Sequence, residues 1–301
     1  MRIASAIFMV VMMWLPSLAQ AQLRVFACEP EWASLTNELG GEHVNVYTAT
    51  TALQDPHHIE ARPSLIAKMR RADLVVCTGA DLEVGWLPLL VRQASNSKVL
   101  QGQPGYFEAA QQVERLGIPE QVDRSMGDVH AAGNPHVHLD PRRVSQIAQA
   151  LSQRLITIDP NNKAAYEQYH QSFQQRWSSA MKRWQQTAKA LAGVDVAVYH
   201  ANWTYLFDWL KINVVIDLEP KPGISPSAGY LAQVKQTAQQ QQVKMVVYAA
   251  YQDDKAAKWL SNALDIPHVK LPYTIGANEQ VSDLFSLYEQ TLQQLIAAAS
   301  S

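Results

Sequence analysis

The chain is predicted to be an α/β protein with two parallel-sheet lobes joined by one long rigid helix. Short β-branched strands alternate with amphipathic helices before residue 141, and the same alternation resumes after residue 193. Between them, residues 142–158 and 160–191 carry apolar side chains at helical spacing. Strands that alternate with helices pair in parallel through right-handed crossovers, which gives each half its own sheet. The 301-residue length also suits two domains at roughly 150 residues each.

The expected organisation is a leader over residues 1–21, a first lobe over 22–158, a linking helix over 159–192 and a second lobe over 193–301. In the leader, Arg2 precedes an apolar run broken only by Ser5, Pro16 and Ser17, and Ala19-Gln20-Ala21 follows. A basic start, an apolar centre and a small-x-small end make a secretory signal peptide, with cleavage expected after Ala21. The run is short for a membrane span and carries a proline near its end. Gln22, not a cysteine, stands immediately after the cleavage point, so the mature protein is expected to be exported to the periplasm without a lipid anchor.

In the first lobe, strands are expected at residues 23–28, 44–47, 74–77 and 99–100, with helices over 31–39, 63–71 and 87–95. Gly40-Gly41 stops the first of these helices, and Pro63 opens the second. Asp140-Pro141 reads as a helix start, with Asp capping and Pro in the first turn. In the linking helix Ala165, Tyr169, Phe173, Trp177, Met181 and Trp184 step by three or four, a stripe best explained as core packing. The second lobe is expected to place strands at 194–199, 214–218, 245–249 and 268–271. Its helices are expected at 203–210, 231–241, 255–264 and 281–299. The two cysteines, Cys28 and Cys77, both end buried strands; in an oxidising compartment a bridge between neighbouring strands is expected over two free thiols.

The charge balance, 25 basic against 27 acidic residues, argues against nucleic acid as the main partner. The histidines are more informative, because five of the nine are His57, His58, His130, His136 and His138. His57 follows the strand ending near Tyr47, and His200 directly follows the strand at 194–199. In open parallel sheets ligands bind beyond the carboxyl ends of strands. Imidazoles converging from two lobes would suit zinc, which takes neutral nitrogen ligands in a tetrahedral site. Spacing alone is only suggestive, since a single loop histidine is most often a surface residue.

The surrounding words are more specific. Pro56-His57-x-x-Glu60 is followed by Gly79-x-x-Leu82-Glu83, then Asn134-Pro135-His136-x-x-Leu139-Asp140-Pro141, then Tyr199-His200-x-x-Trp203-x-Tyr205, then Glu219-Pro220-x-x-Gly223-Ile224-Ser225-Pro226-Ser227. Together and in this order they resemble the zinc-binding, ZnuA-like solute-binding proteins of bacterial ABC importers. The resemblance implies a metal site in the cleft between the lobes, with His57, His136 and His200 as metal ligands. It implies Zn2+ as the transported ligand, and no enzymatic activity. It further implies delivery of the ion by a monomer to an ABC-transporter membrane permease, and leaves room for a periplasmic metallochaperone. A scaffold selective for manganese or another divalent metal is the alternative, although relatives of that kind commonly carry a carboxylate where His200 stands.

The chain departs from the family where many members place a ligating Asp, because that turn reads Leu271-Pro272-Tyr273-Thr274. The fourth ligand is open between water, Glu279 and Asp283, and Asp283 equally suits the N-cap of the last helix. His138 stands where an aromatic residue is common, as a tuning residue or an entry ligand. The loop before His136 is short, Asp128-Val129-His130-Ala131-Ala132-Gly133, and is expected to scavenge metal weakly. A zinc-dependent hydrolase is the rival from another class, through His136-x-His138-x-Asp140. Pro141 occupies the place where such enzymes commonly put a further histidine, and no His-Glu-x-x-His helix exists. A surface adhesin on the same scaffold fits less well with an anchor-free exported chain.

Overall fold

The computed structural model describes residues 21–122, 127 and 129–301. The apolar leader over residues 1–20, and so the signal-peptide reading, lies outside them.

The first sheet holds β1 (Leu23–Ala27), β2 (Val44–Thr48), β3 (Leu74–Cys77) and β4 (Tyr106–Glu108), all parallel, in the order β2-β1-β3-β4. The second repeats that plan with β5 (Asp195–Val198), β6 (Asn213–Asp217), β7 (Met245–Ala249) and β8 (His268–Leu271), in the order β6-β5-β7-β8. In the first lobe the helices are α1 (Pro30–Gly40), α2 (Pro63–Arg71) and α3 (Leu87–Ala94). Then come α4 (Pro141–Ile158) and α5 (Lys163–Thr187), and the second lobe adds α6 (Thr204–Leu210), α7 (Ala228–Gln240), α8 (Lys255–Leu264) and α9 (Leu284–Ala299). β3 is buried along its whole length, as a strand covered on both faces should be. Cys28, just past β1, and Cys77, at the end of β3, form the expected disulfide across a Cα separation of 4.8 Å.

Three elements differ from the sequence expectation. Residues 99–100 do not form the edge strand; Val99 ends a 3-10 turn (Ser97–Val99) whose Asn96 cap accepts from the Lys98 N–H. Asn96 also donates to the Met69 and Ala72 carbonyls, which fixes this turn beneath α2. The edge strand is β4, admitted by Gly105: a Cβ there would lie 2.4 Å from the Lys98 carbonyl oxygen. The linking helix is bounded by 3-10 turns at Pro160–Asn162 and Ala188–Leu191, so its α-helical part is α5. The last helix starts at Leu284 because Asp283 and Ser286 form a reciprocal capping box.

α5 buries Tyr166, Phe173, Trp177, Ala180 and Trp184. It packs on α1, α4 and α9. Trp177 lies at the junction, its ring 5.2 Å from Phe173 and 4.9 Å from Phe285, while its Nε1–H donates to the Pro141 carbonyl at 2.8 Å. One apolar cluster therefore runs from β1 through α5 to α9 and takes in both lobes.

Candidate metal centre

Three loops at the carboxyl side of the sheets bring the histidines together. His57 lies in the loop after β2, His136 just before a short 3-10 turn (Val137–Leu139) that leads into α4, and His200 two residues beyond β5. The turn is held in place by α4, where the Asp140 carboxylate accepts from the Arg142 N–H at 2.8 Å with Pro141 at the first helical position.

One ligand atom from each of His57, His136 and His200 lies within 4.8 Å of the others. Their ring centroids are 6.0 to 6.1 Å apart in all three pairings. His136 is 1% exposed and His200 7% exposed, and the side chain of His57 is 10% exposed.

Each ring has its Nδ1 occupied. His57 Nδ1 pairs with Asp55 at 2.7 Å, His136 Nδ1 with the Tyr273 hydroxyl at 2.7 Å, and His200 Nδ1 with Glu219 at 2.6 Å. An outer partner on Nδ1 fixes the tautomer and leaves the Nε2 lone pair for a cation. The partners are themselves held: the His57 N–H also donates to Asp55, and the Gly223 N–H donates to Glu219 at 3.0 Å. Sequence reasoning named none of these three acceptors. Asp55 carried a local signal, an Asx turn two residues before His57, and Glu219-x-x-x-Gly223 was part of a quoted motif. Tyr273 had no signal, because it meets His136 across 137 residues of chain.

Electrostatics differ from ring to ring. Burial, reinforced by the nearby His200, His57, His130 and His138 rings, holds the His136 imidazole well below its ordinary pKa, so it stays neutral. At His200 burial pulls the same way, but the Glu219 carboxylate outweighs it and the net shift is upward. Burial pushes Asp55 up, yet its hydrogen bonds with His57 prevail and its carboxyl ends below the usual range.

The other candidates lie elsewhere. Glu279 is exposed, and Asp283 is committed to capping α9, so neither is brought to the histidines. Asp283 lines a separate cavity of about 620 Å³ between α1, α5 and the loop before α9, whose wall contains no histidine. His138 turns inward and is wholly buried, with Nε2 at 3.0 Å from the Tyr273 carbonyl and Nδ1 at 3.3 Å from Glu31. A side chain without exposure does not meet incoming metal, so the entry-ligand reading fails, and His138 instead ties the His136 turn to the second lobe. His58 is exposed and lines a cavity of about 260 Å³ with Asp55, His200, Glu219 and Asp253. His130 approaches the cluster, its Nε2 3.1 Å from that of His57.

The family model for zinc-uptake complex component A, periplasmic, matches residues 25–298. Among curated proteins, a manganese ABC transporter substrate-binding lipoprotein of Streptococcus gordonii is 29% identical over 152 residues, covering 50% of this chain and 46% of that protein. A second of the same description from Streptococcus pneumoniae is 28% identical over 149 residues, covering 48% and 45%. The chain thus spans about half the length of the curated relatives it matches. Among solved structures, a crystal structure of ZnuA has a TM-score of 0.77 at 20% identity over 93% of this chain and all of that one. A cadmium-bound periplasmic metal-binding protein from Candidatus Liberibacter asiaticus has a TM-score of 0.76 at 14% identity over 92% of this chain and all of that one. At those identities the likeness shows the fold, and it is the two-lobed α/β fold described above. The family-model match runs from β1 to the end of α9 and takes in all three histidine loops: the chain belongs to the ZnuA family of metal-binding components of ABC importers.

Proposed function

We propose that this protein captures zinc outside the cytoplasmic membrane, in the periplasm, and hands it to the permease of an ABC importer, with His57, His136 and His200 as ligands. The observation that carries the reading is the convergence of three imidazoles whose Nδ1 atoms are all engaged, leaving three Nε2 lone pairs for one ion. Imidazole nitrogen favours zinc over manganese, which prefers oxygen. The carboxylates Asp55 and Glu219 face the rings from behind and offset the cation's charge without ligating it. Manganese is the second reading, favoured by the names of the streptococcal relatives. Domain limits of 22–158, 159–192 and 193–301 and a monomeric state complete the proposal.

Alanine at position 57, 136 or 200 is expected to weaken zinc more than about 100-fold, beyond the 10–100-fold typical of losing an outer partner. Three other histidines are controls: His43 packs on Tyr166, His170 on Gln174 and His268 on Ser261. Alanine at 43, 170 or 268 should leave zinc affinity unchanged in competition with a chromophoric chelator. Equal affinity across all six variants would remove the site assignment.

A further inference from the structure

We propose that Glu31 is a positioning residue for the metal centre: it closes a buried ring of contacts across the seam between the lobes, and through that ring it sets the orientation of His136. The inference rests on the reading of His136 as a ligand. Glu31 stands in the first turn of α1, wholly buried, and its two carboxylate oxygens hold different partners. Oε2 accepts from the hydroxyl of Thr274, in the second lobe. Oε1 lies 3.3 Å from Nδ1 of His138, in the first. Neither of these last two atoms has a hydrogen-bond partner elsewhere among the described residues.

His138 and Thr274 are also joined to each other. The His138 Nε2–H donates to the Tyr273 carbonyl at 3.0 Å, and that carbonyl belongs to the peptide leading into Thr274. The circuit therefore runs from Glu31 through His138 to the Tyr273–Thr274 peptide and back to Glu31. The Tyr288 hydroxyl, from α9, donates to the His138 carbonyl at 2.7 Å and adds a further crossing of the seam. Glu31, His138, Tyr273 and Thr274 are each at most 3% exposed. Water does not compete for these contacts, and removing one partner strands a polar atom away from solvent.

The circuit reaches the ion through Tyr273. With Nε2 kept for the cation, the His136 ring carries its proton on Nδ1 and donates it to the Tyr273 hydroxyl at 2.7 Å. A hydroxyl fixes a ring only where its own residue is fixed. Tyr273 is held at its carbonyl by His138 and at the next residue by Thr274, and both of these contacts end on Glu31. His57 and His200 take their outer partners, Asp55 and Glu219, from their own lobes. Of the three rings His136 is the one oriented from the opposite lobe, so Glu31 ties ligand geometry to the seam.

The test compares the purified mature wild-type protein with Glu31→Leu, Thr274→Val, Thr274→Ser, Leu260→Ala and His136→Ala. Each is measured for zinc affinity and dissociation rate against a chromophoric chelator, for its cobalt(II) absorption bands, and for the urea midpoint of the metal-free protein. Thr274→Val keeps the side chain's shape and removes only the hydroxyl, so it decides the outcome if Glu31→Leu does not fold. Both should weaken zinc about tenfold, the lower end of what an outer partner contributes, speed its dissociation and shift the cobalt bands. Thr274→Ser restores the hydroxyl and should keep wild-type affinity and bands. Leu260→Ala, in a separate apolar cluster of the second lobe, should lower the urea midpoint and leave affinity and bands unchanged. A Thr274→Val protein with wild-type affinity and bands overturns the proposal. So does a Leu260→Ala protein whose affinity and bands move as those of Thr274→Val do, because loss of stability alone then explains both. Zinc lost from His136→Ala in either case leaves the ligand reading standing, whereas wild-type affinity in His136→Ala overturns that reading too.

Discussion

At the scale of single residues, the centre is built less by its imidazoles than by what each one leans on. Tyr273 is the clearest case, since its hydroxyl takes Nδ1 of His136 and its carbonyl takes Nε2 of His138, so one residue of the second lobe orients two of the first. Behind it, Glu29, Glu83 and Thr78 form a buried cluster in which Thr78 donates to Glu29 and the Thr78 and Gly79 N–H groups donate to Glu83. Burial first, and then the charges of Glu83 and Glu31, push Glu29 well above the usual carboxylate range; burial takes Glu83 to about 7. A carboxyl group whose folded pKa is raised binds its proton more tightly in the native state than in the unfolded one. Between pH 4.5 and 7 the native protein therefore holds more protons, and this pair's contribution to unfolding free energy falls as pH rises. Glu29→Gln keeps the shape and removes the acid. Urea unfolding followed by tryptophan fluorescence should show the variant losing less stability than the wild type between pH 5 and pH 8. An identical loss in both would show that the pair does not titrate in this way.

At the scale of elements, α5 is the part on which both lobes depend. Trp177→Ala should cost about 3–5 kcal/mol, since it empties the space between α4, α9 and the helix itself and frees the Pro141 carbonyl. Chemical denaturation measures this, and a cost below about 1 kcal/mol would contradict the junction role. The C-terminal part of this helix was legible in the sequence, because Phe173, Trp177 and Trp184 step in register and are all buried. The N-terminal part was not. Tyr166, rather than Ala165 or Tyr169, fills the core, because its ring meets His43 and its hydroxyl bonds Asp159, partners that only the fold supplies. Strand β4 was missed for a similar reason: the local apolar pair at 99–100 was captured by an Asn96-capped turn, and Gly105 let the chain pass to Tyr106.

At the scale of the whole molecule, the two sheets repeat one strand order and share one apolar core, so the cleft sits on a stiff frame. The three converging histidines could be picked out from three separate sequence words because each lies in a short motif at a strand or helix end. The partners that orient two of them could not: Glu219, 19 residues from His200, meets its ring only once the second lobe has folded, and Tyr273, 137 residues from His136, only once the two lobes have come together. What the frame is for is decided by the ion it prefers. The most direct test is a competitive titration of the purified mature protein with zinc against manganese, followed by metal analysis of the desalted product. The account predicts a single zinc ion retained per chain in the presence of excess manganese. Replacement of zinc by manganese at equal concentrations would contradict it.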